Sequence, residues 1–361
     1  LMSKADASSV VRSALNSPLL HTLRLDEPDF GFGDPKERAA ASSDFARALR
    51  DKRWPLLAHL NFQFPMSTSD AESVLCPGLR SLSLMFDAMA QPSLTRQLLS
   101  RHPLLESLHV AAANWYLDPV AVVAPPQPFS PLEMSRLRSL RLNSACDHLF
   151  RKLSLPALEE LKLHGPAVAF ERFDEHLPSM PKLSALGLDN VRVHFSRSPA
   201  HTAASVRSLY YSLSGPPEVA AADLEGVCAV FPGLAQLRIS DEQKMKLSPL
   251  RPLCKRPLRN LQQLVLFVRD ALESSELGLL LSLCPALQFI GAPLAKTTAE
   301  DFLTSNPELR NCKLLQGAKR CWLHLGLDSD HSFKPNISEN QLQRCAVKSH
   351  GCRLLRGAAV S

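Results

Sequence analysis

The pattern L-x-x-L-x-L, with other apolar residues admitted at its three positions, recurs twelve times along the chain. Six copies are all leucine: Leu20-Leu23-Leu25, Leu79-Leu82-Leu84, Leu137-Leu140-Leu142, Leu158-Leu161-Leu163, Leu183-Leu186-Leu188 and Leu261-Leu264-Leu266. Three are conservative variants: Leu57-Leu60-Phe62, Leu105-Leu108-Val110 and Leu234-Leu237-Ile239. Three are degenerate: Val206-Leu209-Tyr211, Leu287-Ile290-Ala292 and Leu309-Cys312-Leu314. Their first positions follow one another at 37, 22, 26, 32, 21, 25, 23, 28, 27, 26 and 22 residues. One copy in a Leu-rich chain carries no information. Twelve near one interval demand a fold that buries the same short apolar face again and again.

Proline strengthens the periodicity. In nine copies it stands two residues before the first apolar position, as Pro18, Pro55, Pro77, Pro103, Pro156, Pro181, Pro232, Pro285 and Pro307. It lacks an N–H and keeps the preceding residue out of helix, so it is expected to end one helix and admit the chain to a strand. Between copies, Ser67–Leu75, Ser93–His102, Val219–Phe231, Leu272–Cys284 and Lys296–Asn306 read as amphipathic helices, the last with a Thr297/Glu300 capping box. A strand at helical intervals cannot bury its apolar face alone, so neighbours stack. The expectation is an α/β leucine-rich-repeat solenoid of about twelve irregular repeats over residues 1–315, with a curved parallel sheet on the concave face and helices on the convex face. Residues 316–361 are expected to form a C-terminal cap or a partly disordered basic tail. Two insertions, Asp26–Lys36 and the stretch from Pro119 to Pro131, are expected as projecting loops. Low aromatic content (6%) and 28 Pro against 14 Gly suit Leu-filled layers with frequent punctuation.

Segments such as Cys76-Pro-Gly-Leu-Arg-Ser-Leu-Ser-Leu84, Phe231-Pro-Gly-Leu-Ala-Gln-Leu-Arg-Ile239 and Cys284-Pro-Ala-Leu-Gln-Phe-Ile290 resemble the repeats of F-box leucine-rich-repeat proteins. More widely, roughly Ala5 to Leu315 is similar to the ribonuclease-inhibitor-like superfamily, whose repeats alternate strand and helix. The resemblance implies a scaffold that presents substrates to a ubiquitin ligase, with an adaptor held by a separate F-box. No F-box is recognisable in the chain, so the implication is either an F-box before Leu1 or a different use of the same scaffold. The family's regular Asn or Cys ladder after the strand is also missing: Asn143, Asn190 and Cys146 fall at different offsets.

Charge and chemistry narrow the function classes. The net charge is +6, and the segment from Gln316 to Ser361 holds seven Lys/Arg against three acids, so no concentrated basic face marks a nucleic-acid binder. Nine scattered Cys point to reduced, mostly buried thiols in a cytoplasmic or nuclear protein, with the Asn336-Ile337-Ser338 sequon pointing the other way. The longest uncharged stretch, Leu277–Ala295, is broken by Pro285 and Pro293 and does not read as a membrane span. No phosphate loop, dinucleotide fingerprint, H-E-x-x-H or G-x-S-x-G occurs, so no catalytic residue, cofactor or enzyme activity is expected. The C-terminal group Cys312, Cys321, His324, His331, Cys345, His350 and Cys352 is the best metal candidate, but its spacings only approximate paired zinc ligands, and no metal is expected.

Strand alternation then selects the residues that face away from the core. The row between the second and third apolar positions holds Arg24, Asn61, Ser83, His109, Arg141, Lys162, Gly187, Tyr210, Arg238, Val265, Gly291 and Lys313, with five Lys/Arg and no acid. The row two residues earlier is rich in hydroxyls and has one acid, Glu160. Tyr210, Val265, Phe267 and Phe289 are expected to form an apolar patch towards one end. The candidate partner-binding residues are therefore Arg24, His109, Arg141, Lys162, Tyr210, Arg238, Phe267, Phe289 and Lys313, and the fitting partner is a protein with an acidic, partly apolar segment. Three uses stay open: a substrate receptor of the F-box type, a structural subunit of a large assembly, and the ligand-sensing repeats of a larger receptor.

Overall fold

The computed structural model describes residues 19–25, 54–67, 76–86, 92–112, 129–143, 147–165, 169–170, 173–189, 191–193, 195, 199, 201–213, 225–241, 258–267, 284–291, 312–317 and 320–325. In chain order the elements begin with β1 (Thr22–Leu25), β2 (His59–Met66), β3 (Ser81–Phe86), helix α1 (Pro92–Arg101) and β4 (Ser107–Ala112). Next come β5 (Leu132–Glu133), β6 (Ser139–Leu142), a single turn α2 (Asp147–Phe150), β7 (Leu153–Ser154), β8 (Glu160–His164) and β9 (Ala169–Phe170). A 3-10 helix (Phe173–Ser179) leads to β10 (Ala185–Asp189), β11 (Arg192–Val193), β12 (Ser208–Leu213), β13 (Gln236–Asp241) and β14 (Gln263–Phe267). The last strands are β15 (Phe289–Gly291), β16 (Cys312–Gly317) and β17 (Arg320–Leu325). The chain is thus α/β, with one long open sheet and few helices.

That sheet has 13 strands in the order β1-β2-β3-β4-β6-β8-β10-β12-β13-β14-β15-β17-β16. Every pairing from β1 to β15 is parallel, with second apolar position opposite second and, up to β14, third opposite third, as in Leu140↔Leu161 and Leu142↔Leu163; β2 shifts register against β3 only beyond Phe62. The twelfth copy departs from the others. Its strand β16 runs antiparallel to β17, which itself runs antiparallel to β15. Two small parallel pairs, β5 with β7 and β9 with β11, lie outside the main sheet.

The entry into each strand is built the same way. The N–H of the first apolar residue donates to the carbonyl three residues back, closing a β-turn: Leu57 to Trp54, Leu79 to Cys76, Leu105 to His102, Leu158 to Leu155, Leu183 to Met180, Leu234 to Phe231 and Leu287 to Cys284. Proline occupies the second position of each of these turns, where its fixed φ is already correct. Copies without that proline close the same turn: Leu137 to Met134, Val206 to Ala203 and Leu261 to Leu258. Proline therefore favours a turn that the fold imposes everywhere, beyond merely stopping a helix. One residue past the turn, a carbonyl accepts from two successive N–H groups of the next unit, as Arg138 O does from Glu159 and Glu160 at 2.8 and 2.9 Å. This stitch repeats from His21 to Ala235.

Two turns carry Gly in the third position for a steric reason. A Cβ on Gly233 would stand 2.3 Å from the Ala204 carbonyl oxygen of the preceding turn, and one on Gly78 3.1 Å from that of Pro55. Stacked turns approach through their backbones at these points.

All three motif positions turn inward in the described copies, joining one continuous apolar core with Leu94, Leu98 and Leu99 of α1. Within it Phe150, Phe170, Phe173, Phe195 and Phe231 form a chain of tilted and edge-to-face rings with centroids 5.5–5.8 Å apart. Adjacent tyrosines part company: Tyr211 is buried against Phe195, while Tyr210 lies on the opposite face. The residue opening nine of the ten described turns, such as Cys76, Met134, Phe231 or Cys284, is buried too, Ala203 being only partly so, and burial pushes the Cys76 thiol up to about 11. Cys76, Cys228 and Cys284 are buried and not disulfide-bonded.

The helix expected at Ser93–His102 is α1, and that expected at Val219–Phe231 is helical over residues 225–230. The expected helices within Ser67–Leu75, Leu272–Cys284 and Lys296–Asn306, both projecting loops up to residue 128, and the chain after residue 325 lie outside the described residues. Buried Arg96 of α1 donates through Nη2 to the carbonyls of Ser130, Arg151 and Lys152, tying the return of the second loop to the α2–β7 turn. Among the described residues no helix is long and apolar enough to cross a membrane.

Candidate interaction face of the sheet

The pleat that sends the motif residues into the core sends their neighbours to the other side, and parallel register lines these up across strands. At one end stands a neutral chain. Gln63 Nε2 donates to Asn61 Oδ1 at 2.6 Å and to Ser83 Oγ at 3.0 Å, and Ser83 Oγ is hydrogen-bonded to His109 Nδ1 at 3.1 Å. Burial, and then the charge of Arg141, hold the His109 pKa below its ordinary value, so this imidazole stays neutral at physiological pH. Exposed Arg24 lies beyond it on β1, opposite Asn61.

The centre of the face is charged. Arg141 and Lys162 are directly opposite in register, an unfavourable placement for like charges. Glu160 resolves it. Its carboxylate accepts from Ser139 Oγ at 2.8 Å and from Arg141 Nη2 at 3.2 Å, and lies 2.5 Å from Lys162 Nζ. Burial raises the Glu160 pKa, but the hydrogen bonds from Lys162 and Ser139 and the two positive charges outweigh it and hold the group at about 2. Lys162 also lies over Gly187, where a Cβ would stand 3.0 Å from its Cγ.

A second acid follows one step along the strands. His164 Nδ1–H donates to Asp189 Oδ2 at 2.8 Å, and Tyr210 O–H donates to Asp189 Oδ1 at 3.3 Å. Arg238 comes next, opposite Tyr210 on one side and Val265 on the other. It is half-buried and makes no hydrogen bond or ion pair among the described residues. Burial lowers its pKa from the ordinary guanidinium value, with Tyr210 acting weakly in the opposite sense.

Of the residues selected by alternation, the structure gathers Arg141, Lys162, Tyr210 and Arg238 on neighbouring strands, with His109 beside Arg141. Lys313 falls on β16, which the antiparallel β17 separates from the parallel series. Phe267 and Phe289 hold places in β14 and β15, and their side chains lie outside the described set. The expected apolar patch needs one correction: Val265 is only 2% exposed and offers no surface. Alternation alone missed Glu160 as a hub, and it missed His164 and Asp189 because the strands continue one residue past the third apolar position. Carrying the alternation one step further would have found them. Among the described residues no group of three or more His, Cys, Asp or Glu is placed to hold a metal; His331, Cys345, His350 and Cys352 lie outside them.

A scan against protein-family models matches none, and a search of curated proteins finds no match to this chain.

Proposed function

We propose that this chain is a leucine-rich-repeat solenoid that binds another protein along the exposed face of its sheet and catalyses no reaction. The observation that carries the reading is the aligned row Arg141, Lys162, Tyr210 and Arg238, set on a rigid sheet of uniform register. Rigid sheets suit recognition because little conformational entropy is lost on docking. The same turn in ten described copies, and the stitch from His21 to Ala235, support the solenoid itself. Within this reading, the resemblance of the Cys76–Leu84 and Phe231–Ile239 segments to F-box leucine-rich-repeat proteins favours a substrate receptor of a ubiquitin ligase. Affinity purification of the full-length protein from its native cell, followed by mass spectrometry, tests it. A cullin-ligase adaptor recovered in near-equal amount supports the receptor role. One fixed set of subunits without that adaptor overturns it in favour of a structural subunit.

A further inference from the structure

The cations of the exposed face are not equivalent. Arg141 and Lys162 both spend their charge on Glu160, and a partner carboxylate arriving there meets one that is already bound. Asp189 is likewise engaged by His164 and Tyr210. Among the described residues Arg238 has no such counterpart. It is half-buried, so its guanidinium has lost part of its water without gaining an acceptor from any of them. Two residues earlier on the same side of β13, Gln236 uses its side-chain oxygen to accept from Ser208 Oγ at 3.4 Å, and its amide nitrogen donates to no described group. The pair is therefore rich in donors and poor in acceptors. Tyr210 and Val265 flank Arg238 and keep the site partly dry.

Resting on the reading of this face as a protein-binding surface, we infer that Arg238, with Gln236, is the subsite that takes an Asp or Glu side chain of the partner, while Arg141 and Lys162, which share the one carboxylate of Glu160, are partly compensated and add less acid recognition. A carboxylate matches the planar guanidinium fork with two parallel hydrogen bonds, and an acceptor at a half-desolvated cation restores what burial removed. Tyr210 beside it suits an apolar or aromatic neighbour of that acid in the partner.

The test pans a display library of random dodecapeptides on the full chain and measures the selected synthetic peptides by calorimetry against Arg238→Gln, Arg238→Lys and Arg141→Gln, each checked for an unchanged thermal midpoint. The inference expects selected peptides with an acid. Arg238→Gln should weaken them about 30-fold or more, and replacing that acid by its amide should do the same without adding to the loss. Arg238→Lys should keep part of the binding, and Arg141→Gln should weaken it clearly less than Arg238→Gln does. Peptides weakened by Arg141→Gln but indifferent to Arg238→Gln would overturn this inference and leave the face as a binding surface. Failure to select any peptide, or selection of peptides indifferent to all three substitutions, would overturn both.

Discussion

Glu160 shows how one side chain decides the character of a surface. It sits diagonally between Arg141 and Lys162, which the parallel register forces opposite each other. Glu160→Gln should leave that repulsion uncompensated and cost on the order of 1 kcal/mol, reduced from the full pKa shift because Arg141 and Lys162 are 46% and 49% exposed. The sign follows from linkage. The folded-state pKa of about 2 lies below the ordinary value of 4.5, so the stabilisation is present above about pH 4.5 and is lost as pH falls towards 2. Urea unfolding of both proteins at pH 7 and pH 3 checks this; an equal difference at both values would contradict it. Glycine offers a second comparison. Gly233→Ala drives a methyl into the Ala204 backbone and should cost about 2 kcal/mol or more, whereas Gly187→Ala meets only the movable Lys162 side chain and should cost less than about 1 kcal/mol. Thermal midpoints that fall equally would refute the distinction.

The strand and its turn are the element that the chain repeats. The same i to i+3 bond closes ten described turns, with proline at the second position in seven. Ser135 and Arg259 stand at that position elsewhere, and neither N–H takes part in a backbone hydrogen bond outside regular elements. Ser135→Pro and Arg259→Pro should therefore each stabilise by about 0.4–1 kcal/mol, through reduced freedom of the unfolded chain. A loss of stability in urea titration would show that these turns differ from the others. The strands themselves were legible because their apolar triplets repeat at a steady interval and alternation assigns each neighbour a side. Strand order was not: nothing in the triplet Leu309-Cys312-Leu314 shows that Arg320–Leu325 enters between it and β15, antiparallel to both. Nor was the ion-pair pattern legible. It depends on which of several side chains, about twenty residues apart, lean towards Glu160. The burial of Val265 was hidden for a similar reason, since alternation gives a side chain its face and says nothing of what covers that face.

At the scale of the whole molecule, ten parallel pairings carry a single register from β1 to β15, and that uniformity converts a one-dimensional repeat into a two-dimensional array of side chains. The array runs from the neutral Gln63–Ser83–His109 chain through the compensated Arg141–Glu160–Lys162 cluster to Arg238. A partner reading it would meet polar acceptors and donors first and last a cation with no acid paired to it among the described residues. The apolar core lies on one side of the sheet and the charged rows on the other, so a substitution among the exposed side chains should leave the core packing intact. The most direct measurement is a quantitative affinity purification of the full-length protein from its native cell beside the Arg141→Glu, Arg238→Glu double variant, with equal thermal midpoints established beforehand. The account predicts that at least one stoichiometric partner is lost or strongly depleted with the variant. Recovery of the same partners in the same amounts from both proteins would contradict it.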